Sequence, residues 1–350
     1  AAPQQQEQPR QQGDEKRPQG NERRSQYGSY YVTSSLVEQG VVTAILNVTT
    51  DDKVIVDMIT GNQEQDSTAI KTLLQNNAYQ VNDVTLATGD LDNDAKFAIL
   101  FAPSVDLDEG AVEKLSKWLD NDGKYGRNLI YIPTENSIET PNLDSLLNEW
   151  GMQVNDGYVY ETSTDRLVSN TSPFIFTVDY TDYYTKGLKN PNIPVVTLFS
   201  RAITLSDTSV AHALLTTSNS AGIRPTDADE NWNYKDNLTN EAVNIAAEGV
   251  KSNTDNSSSK VVVFGSYSMF TSDIMSYNSF NNSGYLMNTI NTLANKDDAG
   301  ITIESKSMNN AELGITDATT KNTLFVIFVV LVPVAVLVTG IVMWLRRRNK

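Results

Sequence analysis

Cysteine is absent from the 350 residues of this chain, and His212 is its one histidine. Without cysteine the protein cannot form a disulfide, a thiolate metal site or a cysteine nucleophile. One histidine cannot supply the several imidazole ligands of a histidine metal centre. The formal net charge of −16 makes nucleic acid an unsuitable partner, because phosphate binding needs a basic surface. The composition leaves an ordinary hydrophobic content of 39%, which is enough for a folded core.

Phosphate-binding motifs are also missing. The sequence has no G-x-x-x-x-G-K-[ST] loop, and no G-x-G-x-x-G follows its first predicted strand. The turn at that place reads Thr60-Gly61-Asn62-Gln63-Glu64, with one glycine and a carboxylate that would repel phosphate. The sequence therefore predicts no nucleotide cofactor, and we expect no other cofactor.

One acidic run begins like a calcium loop. Asp90, Asp92 and Asp94 have the D-x-D-x-D spacing of an EF-hand. Ala95 stands where the sharp turn of that loop needs glycine, and Phe101 stands where the bidentate glutamate belongs. The sequence therefore predicts no metal site.

The end of the chain holds a long run without charge, from Leu324 to Leu345. At 1.5 Å per residue such a run crosses a hydrocarbon core of about 30 Å, so the sequence predicts a transmembrane helix over 323–345. A buried core helix is the alternative, but core helices are seldom this long and this apolar. The residues assigned to the anchor are Leu324, Pro333, Gly340, Trp344, Arg346, Arg347 and Arg348.

The basic cluster at 346–350 orients this predicted helix, because short basic flanks stay in the cytoplasm. The predicted localisation is therefore the cell membrane, with a single pass, a cytoplasmic C-terminus and the bulk of the chain extracellular.

Residues 1–26 are rich in Gln and Pro and lack large apolar side chains, so we expect them to be disordered. The first residue is not Met and no apolar signal region follows, so we expect the gene product to extend upstream.

The region 27–300 is predicted to be one α/β domain, joined to the anchor by a connector over 301–322. Buried strands are predicted from short apolar runs at Val54–Ile59, Phe97–Phe101 and Leu129–Ile132, and alternation predicts a further strand at Val81–Leu86. Helical patterns alternate with them, which predicts a mostly parallel sheet with helices on both faces. Residues 152–250 form a β-rich insertion or extension, in which 243–250 reads as a strand or a helical turn. Lys260–Gly265 is the strongest strand signal of the chain.

Two polar residues are candidates for catalysis. His212 lies in the apolar segment VAHALL, which is typical of a packed structural histidine. Ser266 follows a predicted strand, but the G-x-S-x-G elbow of a hydrolase is absent. A hydrolase using Ser266 or His212 remains one alternative.

Aromatic residues next to amides are candidates for contacts with a ligand or partner. Tyr183 lies beside two other tyrosines, and Trp232 and Tyr234 alternate with asparagines. Such groups can stack on sugars or anchor loops. If they stack on sugars, the protein is a module that binds a cell-surface glycan or polymer.

Four stretches together resemble the gliding-motility-type ABC transporter auxiliary (Gldg) family in its Gram-positive form. They are VTTDDKVIVDMITGNQEQ, LFAPSVDLDEGAVEKLSKWLDNDG, ETPNLDSLLNEWGMQVNDGYV and KVVVFGSYSMFTSD, which begin at Val48, Leu100, Glu139 and Lys260. The resemblance implies a flavodoxin-like or amidotransferase-like fold beside an ABC-2-type permease and a cytoplasmic ATPase.

The resemblance is incomplete at the first turn. The family often carries TGHGE there, and this chain carries TGNQE, so Glu64 is kept as a possible contact with a ligand or partner. An amidotransferase also needs a cysteine nucleophile, which this chain lacks. We therefore expect a non-catalytic, membrane-anchored auxiliary subunit that scaffolds or gates the permease, with glycan binding as the alternative.

Overall fold

The structure is a computed structural model, and it describes residues 53–296 except 137, 170, 171, 189 and 230. It also describes residues 34, 35, 40, 41, 44, 45, 306, 307, 323, 326–331, 333, 334 and 338. By its contacts the chain divides into one compact unit over Leu36–Glu304 and another made of Ala1–Ser35 and Ser305–Lys350.

Strands outnumber helices among the described residues. In chain order the strands are β1 (Ser34–Ser35), β2 (Ile55–Thr60), β3 (Gln80–Thr85), β4 (Phe97–Phe101), β5 (Asn128–Ile132), β6 (Met152–Val154), β7 (Tyr158–Glu161), β8 (Ile175–Tyr180), β9 (Val195–Leu198), β10 (Ile203–Leu205), β11 (Ala211–Thr216), β12 (Ala221–Arg224), β13 (Asn244–Ser252), β14 (Ser258–Phe264) and β15 (Lys306–Ser307). The α-helices are α1 (Thr68–Asn76), α2 (Glu109–Asp120), α3 (Pro141–Glu149), α4 (Ser272–Met275) and α5 (Asn282–Leu293).

A nine-stranded sheet dominates the larger unit, in the order β3-β2-β4-β5-β14-β13-β11-β8-β9. The strands from β3 to β14 in this order run parallel, and each later neighbour is antiparallel. The prediction of a mostly parallel sheet is therefore corrected to a mixed sheet, because β13, β11, β8 and β9 extend it with antiparallel pairs. The strands β6 with β10, and β7 with β12, form separate two-stranded ribbons. In the smaller unit, β1 pairs with β15.

Helices cover both faces of the sheet, as the alternation of apolar runs predicts. In β4, Phe97 and Ile99 lie in one buried cluster, and Leu100 lies in the other. The first cluster includes Ile70 of α1 and Ile290 of α5. The second cluster includes side chains of α2 and α3. A strand covered on both sides has no polar face, which is why this segment reads as a continuous apolar run.

Two aspartates in the loop after β4 fix the starts of two helices. The N-cap of α2 is Asp108, whose carboxylate accepts a hydrogen bond from Ala111 N–H at 2.8 Å. Asp106 accepts bonds from Asn142 N–H and Leu143 N–H in the first turn of α3, at 2.9 and 3.2 Å. The loop after β4 therefore fixes the start of α3.

Asp57 is a buried carboxylate within β2, with no exposed surface. It accepts bonds from Asp92 N–H at 2.6 Å and from the Asn82 side-chain amide at 3.4 Å. Burial raises the pKa of Asp57, and the bond from Asp92 opposes this. The acidic run that resembles a calcium loop is thus held to the sheet through its backbone.

Replacing Asp57 with alanine is expected to lower the free energy of unfolding by about 1 to 3 kcal/mol, because Asp92 N–H loses its acceptor. Asp57→Asn is the matched control, since it keeps an acceptor oxygen and should lose less. Urea titration of the full chain measures both. Equal stability of Asp57→Ala and the wild type would show that the loop does not depend on this bond.

No helix in the part of the chain that the structure describes has the length and apolar character needed to cross a bilayer. Within the predicted anchor, the described residues include a π-helix over Val326–Leu331. The prediction of a transmembrane helix over 323–345, and the single-pass localisation that rests on it, are therefore wrong on these residues.

Among the predicted anchor residues, Pro333 lies in a helical part of the described chain and is exposed. The others lie outside the described residues, namely Leu324, Gly340, Trp344, Arg346, Arg347 and Arg348.

Candidate functional site at the carboxyl edge of the sheet

In a doubly wound sheet, ligands bind at the carboxyl ends of the parallel strands, in the crevice where the strand order reverses. In this sheet the reversal lies between β2 and β4. We call the loops after β2, β4, β5 and β14 the carboxyl edge; they cover residues 61–65, 102–106, 133–135 and 265–268. The first two loops are bonded directly, since Ser104 N–H and Val105 N–H donate to Asn62 C=O at 3.0 and 3.1 Å. Gln65 N–H donates back to Ala102 C=O at 3.1 Å.

Glu64 closes the first turn of the carboxyl edge on itself. Its carboxylate accepts from Gly61 N–H at 3.1 Å and from Asn62 N–H at 2.9 Å. Two adjacent amides of this kind are what a phosphate or oxyanion would bind. Because a side chain of the same turn already holds them, the turn is satisfied without a ligand. The structure therefore places the Glu64 carboxylate in contact with the backbone of its own turn.

Ala102 occupies a strained position at the end of β4. Its φ is +48°, its N–H donates to Ile132 C=O at 2.6 Å, and its side chain is fully buried. A nucleophile elbow places its reactive residue on such a sharp turn after a strand. An alanine methyl group cannot attack a substrate, so this turn has the backbone strain of an elbow without a nucleophile.

The serines after β14 are bonded within the chain. Ser266 is fully buried, donates to Leu198 C=O at 2.6 Å and accepts from Ser268 N–H at 3.1 Å. The hydroxyl of Ser268 donates to the carboxylate of Glu135. Ser266 is therefore the N-cap of the 3₁₀ turn over Tyr267–Phe270, which is the structural role of a serine after a strand.

Ser266 and His212 do not lie together. His212 is level with Glu248 on β13 and, through it, with Val262 on β14. Val262 precedes Ser266 by four residues, which is about 13 Å along a strand. The structure therefore does not bring Ser266 and His212 together as a serine–histidine pair.

A second polar cluster lies on the antiparallel half of the sheet, around Glu248. Glu248 is 1% exposed, and its carboxylate lies 3.3 Å from Lys260 Nζ and 3.4 Å from His212 Nε2. The hydroxyl of Tyr184 donates to the same carboxylate. Tyr183 stacks on His212, with ring centroids 3.7 Å apart.

Burial sets the protonation of this cluster. It raises the pKa of Glu248 to about 7, against the opposing charge of Lys260. It lowers the pKa of His212, and the charge of Lys260 adds to that effect. His212 is therefore neutral at pH 7, and its contact with Glu248 is not an ion pair although the distance would allow one. A lone glutamate inside the apolar strand segment NIAAEGV is the sequence signal that could have indicated this cluster.

The aromatic candidates lie in different places and have different surroundings. Tyr183 is 47% exposed beside His212. Tyr234 packs edge-on against Tyr160, with centroids 4.9 Å apart, and the indole nitrogen of Trp232 is buried. Among the described residues no ring contact joins Tyr183 to Trp232 or Tyr234. Trp232 and Tyr234 thus anchor their loop.

A groove beside α5 is absent from the sequence-based candidates. Its lining includes five asparagines, Asn190, Asn278, Asn281, Asn288 and Asn291, and its volume is about 100 Å³. The sequence does hold a signal, because Asn281, Asn288 and Asn291 recur at spacings of seven and three, which place side chains on one face of a helix.

No protein-family model matches the chain, and no curated protein matches it either. Among solved structures, it is similar to the mmIFT52 N-terminal domain, with 16% identity, a TM-score of 0.50 and coverage of 71% of this chain and 99% of that one. It is also similar to PurLQS from Thermotoga maritima, with 15% identity, 69% and 100% coverage and a TM-score of 0.36, a likeness too weak for any inference. At these identities the first likeness shows an α/β fold alone.

Proposed function

We propose that this protein is a non-catalytic accessory subunit of an ABC-type, ABC-2-like transport system, and that it scaffolds or gates the permease. The observation that supports this role is the closed carboxyl edge. Glu64 occupies the two turn amides, Ala102 stands on the elbow, and Ser268 is bonded to Glu135. The polar groups at the edge where such sheets usually carry an active site are hydrogen-bonded within this chain. This arrangement fits a binding role better than a catalytic one.

The choice of partner rests on the Gldg-like stretches and on where they lie. The stretches beginning at Val48, Leu100 and Lys260 contain the turns that follow β2, β4 and β14. The stretch beginning at Glu139 contains α3, whose first turn is bonded to Asp106 in the loop after β4. The resemblance is thus concentrated around the carboxyl edge. The partners that this resemblance implies are a permease and a separate ATPase, and the ATPase would bind the nucleotide.

Affinity purification of the tagged full chain from its native cells, after mild detergent treatment, tests this proposal. We expect mass spectrometry to identify an ABC permease and an ABC ATPase enriched over the same tag on an unrelated protein, because an accessory subunit must bind what it scaffolds. Repeated recovery of the chain without either subunit would contradict the proposal.

A further inference from the structure

The groove beside α5 has a lining that differs in character from the rest of the protein. One wall is formed by Gly187, Leu188, Asn190 and Ile193, which lie between β8 and β9, and the other by α5 and described residues before it. None of its described lining residues carries a charge, although a fifth of the chain is charged. Asn190, Tyr277 and Asn278 are exposed, so the groove opens to solvent. We call it the amide groove.

Three asparagines of the amide groove are fixed at one end by other parts of the fold. Asn291 Oδ1 accepts from the Tyr79 hydroxyl at 2.7 Å, and Asn288 Nδ2 donates to Tyr184 C=O at 2.6 Å. Asn281 Nδ2 donates to the Tyr180 hydroxyl at 3.2 Å. The opposite ends of these amides have no hydrogen-bond partner among the described residues. The groove therefore presents one N–H₂ donor and two carbonyl acceptors whose positions are set in advance.

Gly187 and Gly284 lie next to the two carbonyl acceptors, and their lack of a side chain leaves room for the amide oxygens. A Cβ at Gly187, where φ is +92°, would lie 2.7 Å from Asn288 Oδ1. A Cβ at Gly284 would overlap Asn281 Oδ1. Any larger residue would displace the two amide oxygens, so the side-chain positions depend on glycine at both places.

The apolar part of the lining is provided by aromatic and methionine side chains. Tyr277 is 54% exposed, and its ring packs edge-on against Phe280 at 6.2 Å. Met275 and Met287 line the same groove. An exposed ring beside fixed amides offers a stacking surface together with hydrogen-bonding groups.

We infer that the amide groove binds a neutral carbohydrate. Each sugar hydroxyl can donate and accept, which matches a mixed set of amide donors and acceptors, and the C–H face of a sugar ring matches the exposed Tyr277. A charged ligand would find no opposite charge on the described lining residues. The site and its residues differ from the aromatic loop of Trp232 and Tyr234.

An extended peptide fits this place less well. Peptides commonly bind by adding a strand to a free sheet edge. The nearest edge is β9, and Asn282 already bonds both Val196 N–H and Val196 C=O there, at 3.0 and 2.8 Å. Strand addition at Val196 would have to remove Asn282 first.

An array of neutral oligosaccharides of glucose, galactose, mannose and N-acetylglucosamine tests the inference, with sulfated and sialylated oligosaccharides and a set of extended peptides as further arms. We expect the full chain to bind at least one neutral oligosaccharide, and titration calorimetry to show at least tenfold weaker binding for Tyr277→Ala. Monosaccharides in the same titrations distinguish a free sugar from a glycan chain. Tyr183→Ala is the discriminating variant, because Tyr183 is an exposed tyrosine outside the groove and a rival candidate for sugar contact; binding in the amide groove predicts that this variant keeps the wild-type affinity.

A second variant, Asn291→Ala, guards against a loss of binding caused by misfolding, and thermal melting of each variant accompanies the titrations. We expect Asn291→Ala also to weaken binding at least tenfold while its melting remains cooperative. Three outcomes would overturn the inference: no neutral oligosaccharide bound by the wild type, peptides or charged glycans bound in preference, or binding lost in Tyr183→Ala but kept in Tyr277→Ala. The inference does not depend on the transport partner, so its failure would leave the purification result unaffected.

Discussion

Replacing Asn282 with alanine is expected to lower the free energy of unfolding by about 3 to 4.5 kcal/mol. Asn282 is 1% exposed, and its side chain makes three hydrogen bonds. It accepts from Val196 N–H and donates to Val196 C=O and to Met269 C=O. Each lost bond leaves a buried backbone group unpaired, at about 1 to 1.5 kcal/mol apiece.

The position of Asn282 adds a second consequence to this loss. β9 is an edge strand of the nine-stranded sheet, and its outer side at Val196 is covered by the Asn282 amide. Unpaired edge groups are templates for pairing with another chain. We therefore expect Asn282→Ala to self-associate at concentrations where the wild type does not.

Urea titration of the full chain, followed by tryptophan fluorescence, measures the first effect, and analytical ultracentrifugation measures the second. Asn282→Asp is the close comparison, because it keeps one acceptor but turns a carboxylate towards two carbonyls; it should be at least as unstable as Asn282→Ala. Asn278→Ala, at an exposed asparagine, should stay within about 0.5 kcal/mol of the wild type. A loss below about 1 kcal/mol for Asn282→Ala would show that β9 does not depend on this side chain.

The stability of the protein is expected to fall by about 3 kcal/mol as the pH rises from about 4.5 to about 7, through Glu248 alone. Burial raises the pKa of Glu248 from 4.5 to about 7. Between pH 4.5 and about 7, Glu248 holds a proton in the native state that it has released in the unfolded state. The contribution of Glu248 to the free energy of unfolding is therefore fully present below pH 4.5 and is lost as the pH rises to about 7. At about 1.4 kcal/mol per pH unit, this interval gives the stated fall.

Glu248→Gln should remove most of this dependence, because glutamine carries no charge at any pH in the range. The matched control is Glu149→Gln, a glutamate whose side chain is 56% exposed, and it should leave the slope unchanged. The measurement is the free energy of unfolding from urea titrations at pH 5, 6, 7 and 8. A wild type and a Glu248→Gln variant with the same slope would show that Glu248 titrates normally.

The central strands of the parallel half, β4 and β5, can be predicted from sequence because they are buried on both faces. The unbroken apolar run Phe97–Phe101 predicts a strand, and the structure has those same bounds. The antiparallel half has one ambiguous member, 243–250, where two alanines suit a helix or a strand. The structure shows that this segment is a strand, β13. Its Ala246 and Ala247 are small enough to be fully buried on opposite faces of the sheet.

The contacts that define the candidate sites join distant parts of the chain, and no local pattern contains them. The Asp106 cap of α3 spans 36 residues, and the Asn282 bonds to β9 span 86. An acidic turn residue on a sheet edge is expected to face solvent, but the carboxylate of Glu64 turns back to its own amides. The predicted transmembrane helix is the largest correction: hydropathy reports only composition, and no helix among the described residues is long and apolar enough to cross a membrane.

The central claim is that the protein binds ABC subunits, and that the side chains of Glu64, Glu135 and Ser268, which are bonded within the carboxyl edge, take no part in chemistry or in that binding. The most direct measurement is the amount of permease and ATPase isolated per tagged full chain, for the wild type and for a carboxyl-edge variant carrying Glu64→Gln, Glu135→Gln and Ser268→Ala. We expect equal amounts of both subunits with both chains, provided that the variant melts cooperatively. Recovery of the wild type alone, or loss of the subunits only from a folded variant, would contradict the claim.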